Sequence, residues 1–150
     1  MRAVRCRPTL AVTEAMTVTS TTTTHLTELG REECVRHLCE GGLGRVAVSA
    51  PGWPPLIRPV LYAFDAPTQS VVFRSAAGSK LTSLLRSQRA AFEIDGLEPG
   101  GGWSVIVLGP VEEVTGAAEL ARLALLAAGA GLPHCMRIRA AVISGRRLDG

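Results

Sequence analysis

The sequence predicts a mainly β fold, an antiparallel barrel with helices at its ends or flanks. Three observations lead there. Stretches with strand-like alternation outnumber stretches with helical period. Most neighbouring β segments are joined by turns too short for a parallel crossover. The 150 residues are 47% hydrophobic and 19% charged, which suits one domain with a real core.

The elements follow in chain order. Residues 1–26 form an expected disordered extension, because "MTVTSTTTTH" is threonine-rich and has no face to bury. Met16 opens that stretch and is an alternative start of translation. The folded domain is placed at 27–150, with order beginning near Leu29. "GREECVRHLCEGG" reads as a helix, with Glu32 and Glu33 in its first turn, Cys34, Val35, Leu38 and Cys39 on one face, and Gly41-Gly42 as its end. "GRVAVSA" alternates as a half-buried strand. Pro51-Gly52 makes a turn that Pro54-Pro55 extends. "LIRPVLYAF" is a second strand, and Pro59 inside it demands an edge or a bulge. Asp65 to Thr68 turns the chain back into "SVVFR".

A short helix is expected from Ser79 to Arg86, then a strand at "RAAFEID", a loop at "GLEPGGG" and a long strand at "WSVIVLGPVEEV" that Gly109-Pro110 breaks or bends. "GAAELARLALLAAG" is amphipathic, with Leu120, Leu123 and Leu126-Ala127 as its core face. "MRIRAAVISGRRL" closes the chain as one strand, Met136, Ile138, Ala140 and Val142 alternating with Arg137 and Arg139.

Composition removes several function classes. A formal charge of +3 with scattered arginines does not suit a nucleic-acid binder. A membrane-spanning helix needs about eighteen apolar residues in a row, and no such run occurs. Cys6, Cys34, Cys39 and Cys135 form no CxxC pair, and His25, His37 and His134 do not bracket them at metal spacing. They read as free thiols in a reducing cytoplasm. Met1 to Arg5 is basic, but the apolar stretch after it is too short for a secretion signal.

The stretch that carries chemistry is "FRSAAGSKL". It leads from a strand into a helix through small residues, with Arg74 at one end and Lys80 at the other. A helix start exposes backbone N–H groups and favours an anion. Arginine forks two oxygens, lysine supplies a point charge, and Ser75 and Ser79 add hydroxyls. Together they suit a phosphate monoester; ordinary solvated cations beside a helix cap are the competing reading. Trp103 follows a glycine-rich stretch at a strand start, where an indole covers a flat ligand, caps a subunit contact or closes the barrel mouth. Tyr62 stands in the strand beside the one ending at Arg74.

The order of these pieces resembles the pyridoxamine 5'-phosphate oxidase-like proteins, and more narrowly their short actinobacterial-type members. The matching stretches are "LGREECVRHLCEGGLGRVAVS", "IRPVLYAFD", "VVFRSAAGSKL", "RAAFEID", "GGWSVIVLGPVEEV" and "MRIRAAVISGRRL", which together cover about residues 26 to 148. The resemblance implies a six-stranded antiparallel FMN-binding split barrel that works as a homodimer, with FMN between subunits. It implies that Arg74, Ser75 and Lys80 hold the FMN phosphate, with Leu81 beside them. Pro59, Val60 and Tyr62 would line the isoalloxazine ring, and Trp103 and Ser104 would reach the cofactor of the partner subunit. Arg58 stands where the family more often has an apolar residue. The arginine-plus-histidine arrangement that true pyridoxamine phosphate oxidases carry near the C-terminus is missing, so vitamin-B6 oxidation is not expected. The leading expectation is a flavin-dependent oxidoreductase. No side chain is an evident acid or base, so no catalytic residue is named and no metal is expected. The alternatives are a deazaflavin-dependent reductase and a non-catalytic module that binds flavin or haem.

Overall fold

The computed structural model describes residues 25–76, 78–86, 89–126 and 131–149, without the side chain of Lys80. The elements run β1 (His25–Leu29), α1 (Arg31–Cys39), β2 (Gly42–Ala50), β3 (Trp53–Asp65), β4 (Ser70–Ser75), α2 (Lys80–Leu85), β5 (Arg89–Glu98), β6 (Gly101–Val114), α3 (Ala117–Ala124), β7 (His134–Arg139) and β8 (Val142–Asp149). Every strand pair is antiparallel. Six strands close a barrel in the order β6, β5, β2, β3, β4, β7 and back to β6. Strands β8 and β1 extend the sheet outside that ring. No helix among the described residues is long and apolar enough to cross a membrane.

The barrel closes because β6 changes partner midway. Gly101 to Leu108 pair with β8, and Val111 to Val114 pair with β7. Gly109-Pro110 sits at the switch, while β5 stays paired along the other edge throughout. The chain needs glycine there, because an added Cβ would lie 1.7 Å from the Arg139 carbonyl oxygen. The expected break is therefore an uninterrupted strand with a change of neighbour.

Other boundaries also differ from the sequence reading. A strand begins at His25, ahead of the expected onset near Leu29, because the C-terminal strand supplies its ladder. Of the disorder expected for 1–26, residues 1–24 lie outside the described residues, and His25 and Leu26 belong to β1. Trp53-Pro54-Pro55 belongs to β3 rather than to a loop. The loop expected at "GLEPGGG" shrinks to a turn at Pro99-Gly100, with Glu98 opposite Gly101. The closing segment is two strands, since β7 pairs with β4 while β8 pairs with β1.

The core is apolar and continuous. Phe73, Phe92, Leu85, Met136 and Ile138 are fully buried, each contributing about 1.5–3 kcal/mol by leaving water. Leu38 and Cys34 attach α1 to that core, and Leu81 and Leu85 attach α2. Helix α3 packs outside the barrel on a second cluster of Val72, Val114, Leu123 and Cys135. Leu123 and half-buried Leu120 face that cluster as expected, but Leu126 is exposed and Ala127 lies outside the described residues.

Ion pairs hold α3 to the barrel. Arg122 donates two 2.8 Å hydrogen bonds to Asp65, a bidentate fork. Arg137 was read as the polar half of an alternating strand. It is buried instead, bonded to Glu112 on β6 and Glu119 on α3.

Candidate functional site

The site is a fork in the sheet. Strand β3 pairs with β2 through its first ten residues, but its pairing with β4 starts only at Tyr62, opposite Phe73. Beyond that point β4 follows β7, with Arg74 opposite Cys135 and Ser75 opposite His134. From Leu56 to Leu61, no strand among the described residues pairs with β3 on its β4 side. Every second residue there turns its backbone N–H and C=O to the gap. Pro59 falls in this open stretch, where its missing N–H breaks no ladder, so the expected edge position holds.

The chain between β4 and α2 is a hydroxyl cluster. Ser79 caps α2 by accepting from the Thr82 amide at 3.0 Å. Ser75 Oγ lies 2.6 Å from Thr82 Oγ1 and 3.1 Å from Ser79 Oγ. Thr82 also donates to the Ala76 carbonyl. Gly78 takes φ +67°, the left-handed region that tightens such a turn. Helix α2 has only six residues, so its dipole adds little, and an anion at the fork must rely on side-chain charge.

The predicted site residues divide. Arg74 and Ser75 leave β4 on opposite faces: Arg74 donates to the Leu132 carbonyl at 3.2 Å, while buried Ser75 is tied into the hydroxyl cluster. Val60 and Tyr62 point into the core, so only their backbone reaches the fork. Tyr62 meets Phe92 edge-on at 4.7 Å. Leu81 is buried under α2. Lys80 opens α2 beside the turn, and its side chain lies outside the described residues.

Among the described residues the sheet arginines divide by partner, and Arg89 on β5 and Arg146 on β8 hold no carboxylate, as at the fork. Arg45, Arg86, Arg122, Arg137, Arg139 and Arg147 each hold a carboxylate. Arg58 and Arg74 hold only carbonyls, those of Ile57 and Leu132. Sequence reading set Arg58 aside as a departure, yet it stands on the open edge of β3. The signal available was its place beside Pro59. Thr82 was also missed, although Ser79 and Thr82 have the spacing of a helix cap and its reciprocal partner.

Trp103 and Ser104 lie elsewhere. The Trp103 indole covers Gly96, where an added Cβ would sit 2.6 Å from the ring. It stacks on His37 of α1 with ring centroids 3.7 Å apart. That contact occupies one face of the indole. Ser104, Gly102 and Leu148 border an outer cleft of about 500 Å³ at the β5–β6 turn.

The outer face of the sheet carries an apolar row. Ile57, Ala47, Ala91, Leu108 and Val142 stand in register across β3, β2, β5, β6 and β8. Ile57, Leu108 and Val142 are between 42% and 57% exposed. Beside the row, Arg45 bonds Asp95 at 2.7 Å and Glu93 at 3.2 Å. Among the described residues no three His, Cys, Asp or Glu side chains gather as a metal site would need.

Known proteins share this arrangement. A solved structure of an FAD-binding protein from Mycobacterium smegmatis is 32% identical, with a TM-score of 0.72 over 83% of this chain and 99% of its own. A putative pyridoxamine 5'-phosphate oxidase from Corynebacterium glutamicum is 29% identical, with a TM-score of 0.70 over 83% and 93%. An FAD-binding protein from Mesorhizobium loti is 25% identical, with a TM-score of 0.65 over 81% and 97%. The family model described as pyridoxamine 5'-phosphate oxidase matches residues 30–147. The matched span covers the closed barrel, two of these three similar structures are named as FAD-binding, and the chain belongs to the pyridoxamine 5'-phosphate oxidase family.

Proposed function

We propose that this chain is a homodimeric flavin-dependent oxidoreductase that seats the FMN portion of its cofactor at the fork between β3 and β4. The observation that carries the reading is the pair of arginines, Arg58 and Arg74, left without carboxylates beside an open backbone edge. A phosphate needs uncompensated positive charge, and a flavin ring needs backbone donors and acceptors at its polar edge. The two strands that part at the fork carry both, the arginines on β3 and β4 and the unpaired backbone on β3. Arg74 and Lys80 take the phosphate, and Arg58 adds charge from across the gap. The β3 backbone around Pro59 and Val60 orients the ring, and the Ser75–Ser79–Thr82 cluster holds the turn rigid. When bound, the flavin supplies the electron-transfer chemistry; the protein positions it. Relatives named as FAD-binding support the dinucleotide as readily as FMN itself, since FAD contains the same FMN half.

The apolar row supports a second copy of the chain. Exposed apolar side chains in register over five strands are more than a monomer usually leaves in water. An obligate homodimer covers upwards of about 2,000 Å². Cys34, Cys39 and Cys135 are unbridged, which suits a cytoplasmic home.

The test is the absorption spectrum of purified protein, mass spectrometry of what it releases on denaturation, and titration with FMN, FAD and a deazaflavin. The reading expects a flavin spectrum and saturable binding. In the Arg58→Ala, Arg74→Ala double variant, affinity should fall at least about tenfold while the fold survives. Undiminished affinity in a folded double variant would sink the placement. Light scattering should give twice the chain mass, reduced to one by Leu108→Glu.

A further inference from the structure

The apolar row is part of a larger surface. Among the described residues, the large apolar side chains that stand exposed all belong to this outer face of the sheet, save Leu125, Leu126 and Leu132 at and beyond the end of α3. Two features at opposite ends of the face are not flat.

One is a knob. The chain turns at Pro51-Gly52, and Trp53 opens β3 there with 72% of its surface exposed. The other is a notch. The outer cleft of about 500 Å³ opens where Gly102 stands in register between Leu97 on β5 and Leu148 on β8. Glycine leaves out the side chain that would fill this position, and an added Cβ would lie 3.0 Å from the Gly96 carbonyl oxygen. Leu97, on the rim, is 93% exposed.

The notch has the chemistry an indole needs. Its ring buries well against apolar walls, provided that its N–H also meets an acceptor. Leu97 and Leu148 supply the walls, and the Asp95 carboxylate and Ser104 hydroxyl border the same cleft. Arg45 holds Asp95 at 2.7 Å, and a carboxylate keeps acceptor positions beyond one such bond.

A chain cannot fill its own notch. Trp53 is level with Ala50 on β2, whereas Glu93 at the near edge of the cleft is level with Arg45. Five residues of strand, roughly 17 Å, lie between them. A second copy laid on this face and turned end for end brings its knob to the notch, and two-fold symmetry makes the contact twice.

We propose that in the homodimer Trp53 of each copy seats in the cleft of the other, its indole over the partner's Gly102 and between the partner's Leu97 and the partner's Leu148. This rests on the homodimer reading of the apolar row and names the contact that locks it.

The dissociation constant of the dimer, read by light scattering and sedimentation of the full chain across a dilution series, tests it. Both side chains to be changed are exposed, so folding needs neither. Trp53→Ala should raise the constant at least about a hundredfold, since each dimer loses the same buried indole twice. Trp53→Phe, which keeps a ring, should recover most of the affinity. Leu97→Ala should weaken the dimer about tenfold, and adding it to Trp53→Ala should cost little more, because residues in contact do not act additively. Within one chain the two stand too far apart for such coupling. A dimer whose constant changes less than about threefold in Trp53→Ala, or additive losses in the double variant, overturns the contact while the homodimer stands. A native chain that is monomeric at every concentration overturns both.

Discussion

The start of helix α2 and the whole of helix α3 are fastened to the same barrel by different means. Helix α3 is held by full charges: Arg122 on Asp65, and Arg137 between Glu112 and Glu119. Helix α2 is held at its start by an apolar plug and three neutral hydroxyls, and its one ion pair, Arg86 to Glu113, lies at its far end. Carboxylates beside the fork would cancel the charge of Arg58 and Arg74. Hydroxyls fix the turn without doing so, and the arginines stay free to meet an anion. Where no anion has to be met, opposite charges can close on each other.

Breaking the α3 clamp should give the largest effect. Arg122→Ala leaves Asp65, 1% exposed, with only Thr68 as partner. Because Arg122 itself is partly exposed, the expected loss is about 2–3 kcal/mol rather than the full cost of a buried pair. Urea unfolding measures it, and flavin affinity of the folded protein should not move. A loss below about 0.5 kcal/mol would show that packing of Leu123 alone holds the helix.

Next comes the hydroxyl cluster. Thr82→Val keeps the shape but removes the group that joins Ser75, Ser79 and the Ala76 carbonyl. Stability should fall by about 1–2 kcal/mol, and flavin should bind more weakly because the turn is no longer fixed. Unchanged flavin affinity in that variant separates the cluster from the site.

Arg74→Ala reverses the pattern. It should change stability by no more than about 0.5 kcal/mol and weaken flavin binding about tenfold. Equal losses in both measurements would put Arg74 among the structural arginines.

The smallest effect concerns pH. The Arg122 hydrogen bonds hold the Asp65 carboxyl below the usual carboxylate range. A depressed folded pKa means the pair stabilises the protein above the unfolded value, about pH 4, and loses that contribution as pH falls through the folded one. Asp65→Asn should flatten the acid limb of the stability curve. Thr82→Val, with no carboxylate involved, should leave its slope intact.

Sequence carried most of the frame. Val46 and Val48 show their strand because one face is buried and alternation survives, while β4, buried on both faces, shows as a short apolar run of Val71, Val72 and Phe73. Position 137 was misread for a physical reason. An arginine in an alternating strand looks solvent-facing, and the carboxylates that permit its burial stand 25 and 18 residues away. His25 to Leu29 has no buried residue, so its pairing left no pattern to read. At the fork, the sequence pointed to Arg74 and the turn after it. It could not show that Ser75 and Arg74 part company, nor that Arg58 escapes neutralisation, because both depend on where β3 and β4 separate.

The pairing of β1 with β8 places His25 across from Asp149. A ribosome therefore releases the first strand long before the residues that receive it exist. Until β8 has been made, that five-residue ribbon lacks the strand it pairs with, and α1 lacks one of its anchors. A substitution that weakens β8, such as Arg147→Pro opposite Thr27, should therefore slow maturation more than one at the Pro99-Gly100 turn.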